Sequence, residues 1–318
     1  MSDPLWHHYV PRMYLKAWCD PDEKDRVLWV YKENLRPKRK GPKAVAAETG
    51  FYASEVEGAE NTTEPVIAEI ETIAAKHLQK LRTGDINLTD QERAEFATFM
   101  GITKWRTKFA RDLMNSTALE IMRQGFEKTL RDGRVPDIVA QLEEERGAKF
   151  DVPIEKIEAM AASIADGTTE LVQSSKGWSI KTAFERGKEF GNLLNEVPWC
   201  LLEAPEGWAF ITSDNPLLSV DPVARDRGPK GFKFTQAFQF VFPISPKYLL
   251  MGDFVNRGDG KAKLDAARVR YFNSRHAEEA YEQVFASFRS DKVQELVDRI
   301  FSRRNPLVRK PPPGMLDP

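Results

Sequence analysis

Several kinds of residue and motif are scarce in this chain, and each scarcity removes a class of protein. Cys19 and Cys200 are its only cysteines. Two are too few for a disulfide framework or a paired CxxC metal site, and they fit a reducing cytoplasm. The richest apolar stretch, Phe238 to Met251, is broken by Pro243, Pro246 and Lys247, so no membrane span is expected. The N-terminus has no basic region leading into an apolar stretch and a small-residue cleavage site, so the expected location is cytoplasmic. An excess of one charge is also missing. The 47 Lys and Arg nearly cancel the 48 Asp and Glu, so attraction to nucleic acid would have to come from a local patch. Walker A, GxGxxG, GxSxG and HExxH signatures are absent, which argues against nucleotide-driven motors, Rossmann dehydrogenases and α/β-hydrolases.

What is present is globular: 318 residues, 41% apolar and 30% charged. Val27 to Tyr31 reads as a short buried strand, followed by a basic loop from Lys32 to Lys43 in which Pro37, Gly41 and Pro42 argue against regular structure. Val66, Ile67, Ile70, Ile73, Ala74, His77, Leu78 and Leu81 have helical spacing, ended by Gly84. Thr89 and Glu92 form a capping box that opens a long helix to about Arg131. Further helices are expected over about 137–146, 153–166, 168–174 and 179–195. Pro198 marks a change to strands: a hairpin of 199–203 with 208–212, then 217–220, 238–242 and 248–251, before helices over 261–288 and 291–301. Strands, then helices, then strands imply α+β. The expected fold has a mainly antiparallel sheet, built from the N-terminal strand plus residues 199–251 and packed with a helical block over 63–195. One domain is expected over 1–304, with an irregular proline-rich tail over 305–318.

Half of the four histidines lie side by side in Trp6-His7-His8-Tyr9-Val10-Pro11-Arg12-Met13-Tyr14-Leu15. So apolar a start should dock into the core, because unpacked termini gain nothing from apolar side chains. Neighbours on a strand face opposite ways, so His7 and His8 cannot easily share one metal. Either could act as ligand or general acid/base, or simply be a buried histidine with satisfied nitrogens. The pattern superficially resembles the opening of HNH endonucleases, but the next histidine, His77, falls on a helix far downstream.

Ser213-Asp214-Asn215-Pro216 ends a strand with three polar side chains. Asp214 could bind a divalent metal through oxygen, or the segment could be an Asx turn before proline. Acidic residues from Glu48 to Glu64 offer a further carboxylate or an ordinary helix start. Lys104, Lys108 and Arg111 share a helix face, with Arg106 pointing elsewhere. With the 32–43 loop they could contact phosphates, or they could be a solvated helix face.

Taken together, His7-His8-Tyr9-Val10-Pro11 with Tyr14-Leu15, Phe51-Tyr52, Glu60 and Glu64, Ser213-Asp214-Asn215-Pro216, Phe242-Pro243 with Ser245-Pro246, and Asn273 resemble the bacterial family called domain of unknown function 4238. The likeness spans roughly residues 5 to 285. Met13 and Trp18 stand where family members often carry phenylalanine. The resemblance implies that the N-terminal histidines and the Asp214 turn form one shared feature, and it supplies no activity.

Two functions are therefore expected from sequence. In the first, His7, His8 and Asp214 are catalytic, and a divalent metal held by His8, Asp214 and Glu64 hydrolyses nucleic acid gripped by Lys38, Arg39, Lys40 and Arg106. In the second, a histidine bonds the Asp214 turn as a structural clamp, and the protein binds a ligand or partner without turnover.

Overall fold

Aromatic density fixes where the chain's start must go. In the computed structural model, which describes residues 6–20, 26–49, 51, 63–169, 176–220, 238–254 and 259–303, Tyr14 and Trp18 are completely buried. They belong to one core with Leu28 and Val30, Phe96 and Phe99, and Trp199, Phe240 and Phe242. Tyr14 stacks on Phe242 at 4.9 Å between ring centroids.

The described residues divide into two compact units, one within 1–111 and 175–309 and the other within 112–174. The proline-rich tail lies outside the described residues. The smaller unit is helical in its described part. It holds most of α4 (Lys108–Arg131), together with α5 (Val135–Arg146) and α6 (Ile154–Ala165). Gly147 ends α5 at φ +65°, a left-handed position that glycine adopts without strain. Of the helix expected over 168–174, Thr168 and Thr169 lie in a turn and the rest falls outside the described residues.

The larger unit is α+β, with three separate sheets among its described residues. A two-stranded ribbon pairs β1 (Trp6–His8) antiparallel with β4 (Ala47–Thr49). The short helix α1 (Arg12–Leu15) follows β1. A four-stranded antiparallel sheet runs β3 (Lys38–Lys40), β2 (Leu28–Tyr31), β11 (Val284–Ala286), β6 (Thr212–Ser213). A five-stranded sheet runs β10 (Gly260–Lys263), β5 (Trp199–Glu203), β9 (Tyr248–Asp253), β8 (Gln239–Pro243), β7 (Leu218–Val220). It is antiparallel except where β10 runs parallel to β5. The N-terminal strand β2 and residues 199–251 thus share a core but not a single sheet.

Helices α2 (Thr63–Arg82), α3 (Asp90–Trp105) and α7 (Lys176–Glu196) complete this unit with α8 (Ala266–Glu279) and α9 (Asp291–Ser302). The Thr89–Glu92 capping box forms as expected. Helices α3 and α7 approach through glycine: a Cβ on Gly101 would lie 2.7 Å from the Gly191 nitrogen, closer than packed atoms allow.

Four local expectations are corrected. The long helix breaks after Trp105, because the Thr107 hydroxyl accepts the Ala110 amide at 3.2 Å and restarts the helix as α4. The basic loop contains β3, which pairs with β2 in the register Leu28↔Lys40 and Val30↔Lys38; Pro37 and Pro42 flank the strand instead of interrupting it. The 199–212 hairpin does not form. β5 pairs with β9 and β10, while Thr212 and Ser213 cross to β11. Finally, 261–288 is not one helix: Asp265 caps α8 by accepting the Arg268 amide, and β11 follows.

Candidate functional site

The site is built on the Ser213–Asn215 turn at the end of β6. Ser213, Asp214 and Asn215 are all buried. The serine hydroxyl accepts the Asn215 amide at 3.2 Å and donates to the Asn215 carbonyl at 3.0 Å. Asp214 reaches out of the turn to the loop after α8. Its Oδ1 accepts the Tyr281 amide at 2.7 Å, and its Oδ2 accepts the Glu282 and Gln283 amides at 2.7 and 2.9 Å. The Asp214 amide in turn donates to the Gln283 carbonyl. Burial raises the Asp214 carboxyl to about 6, against the opposing pull of the three amides and with help from the Glu282 charge.

The α3–α4 junction supplies cations to the same neighbourhood. Lys104 Nζ donates to Asn215 Oδ1 at 3.2 Å, and Asn215 Nδ2 donates to the Glu279 carbonyl at 2.9 Å. Burial pulls the Lys104 ammonium down to about 8, partly offset by the Glu279 charge. Lys108 pairs with Glu282 at 2.9 Å, and Arg111 engages Glu48 of β4 through two nitrogens at 3.2 and 3.1 Å. Arg106, expected to contact nucleic acid, is corrected: it is buried and bonded to Glu71 of α2 at 2.7 Å. It is a structural ion pair.

The N-terminal segment borders this network through several side chains. His7 is buried and opposite Glu48 in the ribbon register, and His8 faces the other way, its Nε2 3.2 Å from the Pro42 carbonyl. Burial lowers the His8 pKa, with the Pro42 carbonyl opposing, Arg12 lowering and Glu71 raising it. Tyr9 on this segment feels the Asp214 charge. Its hydroxyl is held protonated by burial and then by the charges of Asp214, Glu282 and Glu48. Tyr14 and Trp18 make the direct bonds: the Tyr14 hydroxyl meets Thr212 Oγ1 at 2.7 Å, and the Trp18 indole donates to the Phe210 carbonyl at 3.1 Å. Asp214 itself is held by the 281–283 amides, while Tyr14 and Trp18 tie the N-terminal segment to Thr212 and Phe210 just before the turn.

Glu64 stands in the first turn of α2, and its side chain lies outside the described residues, as do Glu55, Glu57 and Glu60. Of the ligand set expected for a divalent metal, the two members with described side chains, His8 and Asp214, are already engaged elsewhere. Asp214 has both oxygens on backbone amides, His8 faces Pro42, and among the described residues no group of three or more His, Cys, Asp or Glu side chains could hold an ion. Lys38, Arg39 and Lys40 are exposed along β3.

One functional-looking group, His276, escaped the sequence reading, and another, Asn273, entered it only through the family resemblance. His276 on α8 is fully buried with neither ring nitrogen bonded among the described residues, and burial with the nearby Lys104 charge pushes it down to about 3. Asn273 uses its side chain like a strand partner, accepting the Ile211 amide at 3.0 Å and donating to the Ala209 carbonyl at 2.9 Å. Lone polar residues on an amphipathic helix carry no signal for either role. His77, the remaining histidine, bonds Glu95 at 2.7 Å and joins α2 to α3.

Fold and site together define an α+β protein whose N-terminal segment is locked to an internal strand–turn. The chain belongs to the family described as protein of unknown function (DUF4238), which it matches over residues 6–290. No curated protein and no solved structure matches it. No helix among the described residues is long and apolar enough to cross a membrane.

Proposed function

We propose that the protein binds nucleic acid without cleaving it, with the Ser213–Asn215 turn as a structural clamp and strand β3 as the contact surface. The observation that carries this reading is the Asp214 carboxylate, whose two oxygens accept three consecutive backbone amides. A carboxylate so engaged positions a loop. Turning it to an ion would orphan buried amides at about 1–3 kcal/mol each.

The exposed cations support the partner. Lys38 and Lys40 project from one face of β3 and Arg39 from the other, with the two lysines about 6.6 Å apart along the strand. Such a row can follow a phosphate backbone, and contacts of this kind position a nucleic acid without reading its bases.

The competing reading is metal-assisted hydrolysis by His7 or His8 with Asp214 and Glu64. Labelled RNA and DNA incubated with the protein and Mg²⁺, Mn²⁺ or Zn²⁺ separate the two readings. The expected result is a mobility shift with the strands intact, and an Asp214→Asn variant that melts earlier yet binds equally well when folded. Cleavage by the parent that disappears in folded Asp214→Asn would overturn the proposal.

A further inference from the structure

A cleft lies on the five-stranded sheet, apart from the Asp214 turn. It has a volume of about 470 Å³ and is lined by Glu203 to Ala209, Pro246, Lys247 and Lys263. This volume is in the range of small-molecule sites. Its wall includes Trp208, 39% exposed on a tight turn closed by its amide donating to the Pro205 carbonyl. The Arg270 guanidinium lies over the indole at 5.4 Å and orients it. A large aromatic surface left half in water at a concave site is a stacking platform.

The charges around this ring are unequal. Glu203 is shared by Lys247 at 3.2 Å and Lys261 at 3.5 Å, and these lysines hold its carboxyl below the usual range. Lys263, exposed at the end of β10, adds its charge to this effect on Glu203 without an ion pair at bonded distance among the described residues. Among the residues lining the cleft Lys247 and Lys263 balance Glu203 and Glu206, and Arg270 over the indole adds a cation beside the ring.

We propose that this cleft binds a small ring-bearing anion, with the ring on Trp208 and its phosphate or carboxylate at Lys263 and Lys247. This proposal is independent of the β3 reading. The test is calorimetric titration of the full chain with AMP, glucose 6-phosphate, glucuronate, glucose and inorganic phosphate. At least one of the first three should bind saturably, while glucose and inorganic phosphate should bind at least tenfold more weakly. AMP alone would indicate an aromatic ring, and glucose 6-phosphate or glucuronate a sugar. Trp208→Ala should weaken binding about tenfold, as loss of one stacked ring does, and Trp208→Phe should retain most of it. Lys263→Ala should weaken it and flatten its salt dependence. Both positions are exposed, and unchanged circular dichroism would verify folding. The proposal is overturned if no ring-bearing anion binds better than inorganic phosphate, or if Trp208→Ala leaves the affinity unchanged.

Discussion

Residues 36–43 and residues 104–111 look alike on paper: the first carries Arg36, Lys38, Arg39, Lys40 and Lys43, the second Lys104, Arg106, Lys108 and Arg111. In the fold they part company. The five cations of the first stretch are all exposed, with the strand's outer edge unpaired in its sheet. Those of the second turn inward at the α3–α4 break, and each meets a particular partner: Asn215, Glu71, Glu282 and Glu48. What separates them is geometry. A helix break surrounded by α2, β4 and the 279–283 loop brings acidic and carbonyl groups within reach, whereas an edge strand has solvent on its free side. Cationic density alone does not mark a binding surface; cations exposed on a strand can meet phosphate, whereas those bonded inside the fold cannot.

The comparison breaks most severely at Arg106. Arg106→Ala leaves Glu71 without its buried partner and should cost about 3 kcal/mol or more, seen as a large drop in melting temperature. An Arg106→Ala protein that melts like the parent would dissolve the distinction between the two stretches.

Asp214 gives the next largest effect, and its pH dependence has a defined sign. Its carboxyl titrates at about 6 in the fold against an ordinary value of 3.8. The folded state therefore holds this proton more tightly. The stabilisation from that preference is complete below about pH 4 and fades as pH rises to about 6, by about 3 kcal/mol. Melting curves of the parent and Asp214→Asn at pH 4 to 7 should show the parent's advantage shrinking across that window. A gap that widens with pH would contradict the assignment.

Lys104→Met should matter less. It removes a hydrogen bond to Asn215 but also a poorly solvated charge, and such exchanges often come near neutral. The denaturant midpoint should move little, while His276, relieved of the Lys104 charge, should titrate higher by NMR. An unmoved His276 would separate the two groups.

Legibility in the sequence followed the range of the interactions. Helix α2 and the Thr89–Glu92 box were readable because their information lies within a turn or two of helix. The break at Thr107 was not, since a single capping threonine sits among good helix formers. Strand β3 was hidden by flanking prolines, and its identity depends on pairing with β2. Asp214 stood out as a turn residue, but its amide partners lie 67 to 69 positions downstream. No local pattern could name them. Tyr14 and Trp18 read as core, and their bonds to Thr212 and Phe210 depend on the tertiary fold in the same way.

The smallest expected effect on stability belongs to the exposed strand, and it accompanies the largest expected effect on binding. Fluorescence anisotropy of labelled single-stranded RNA, titrated with parent and with a Lys38→Ala, Arg39→Ala, Lys40→Ala triple variant over a range of salt, tests this most directly. The account predicts parental binding that falls steeply with salt, and a triple variant that binds weakly with a flattened slope while melting like the parent. A triple variant that binds as tightly as the parent at low salt would contradict it.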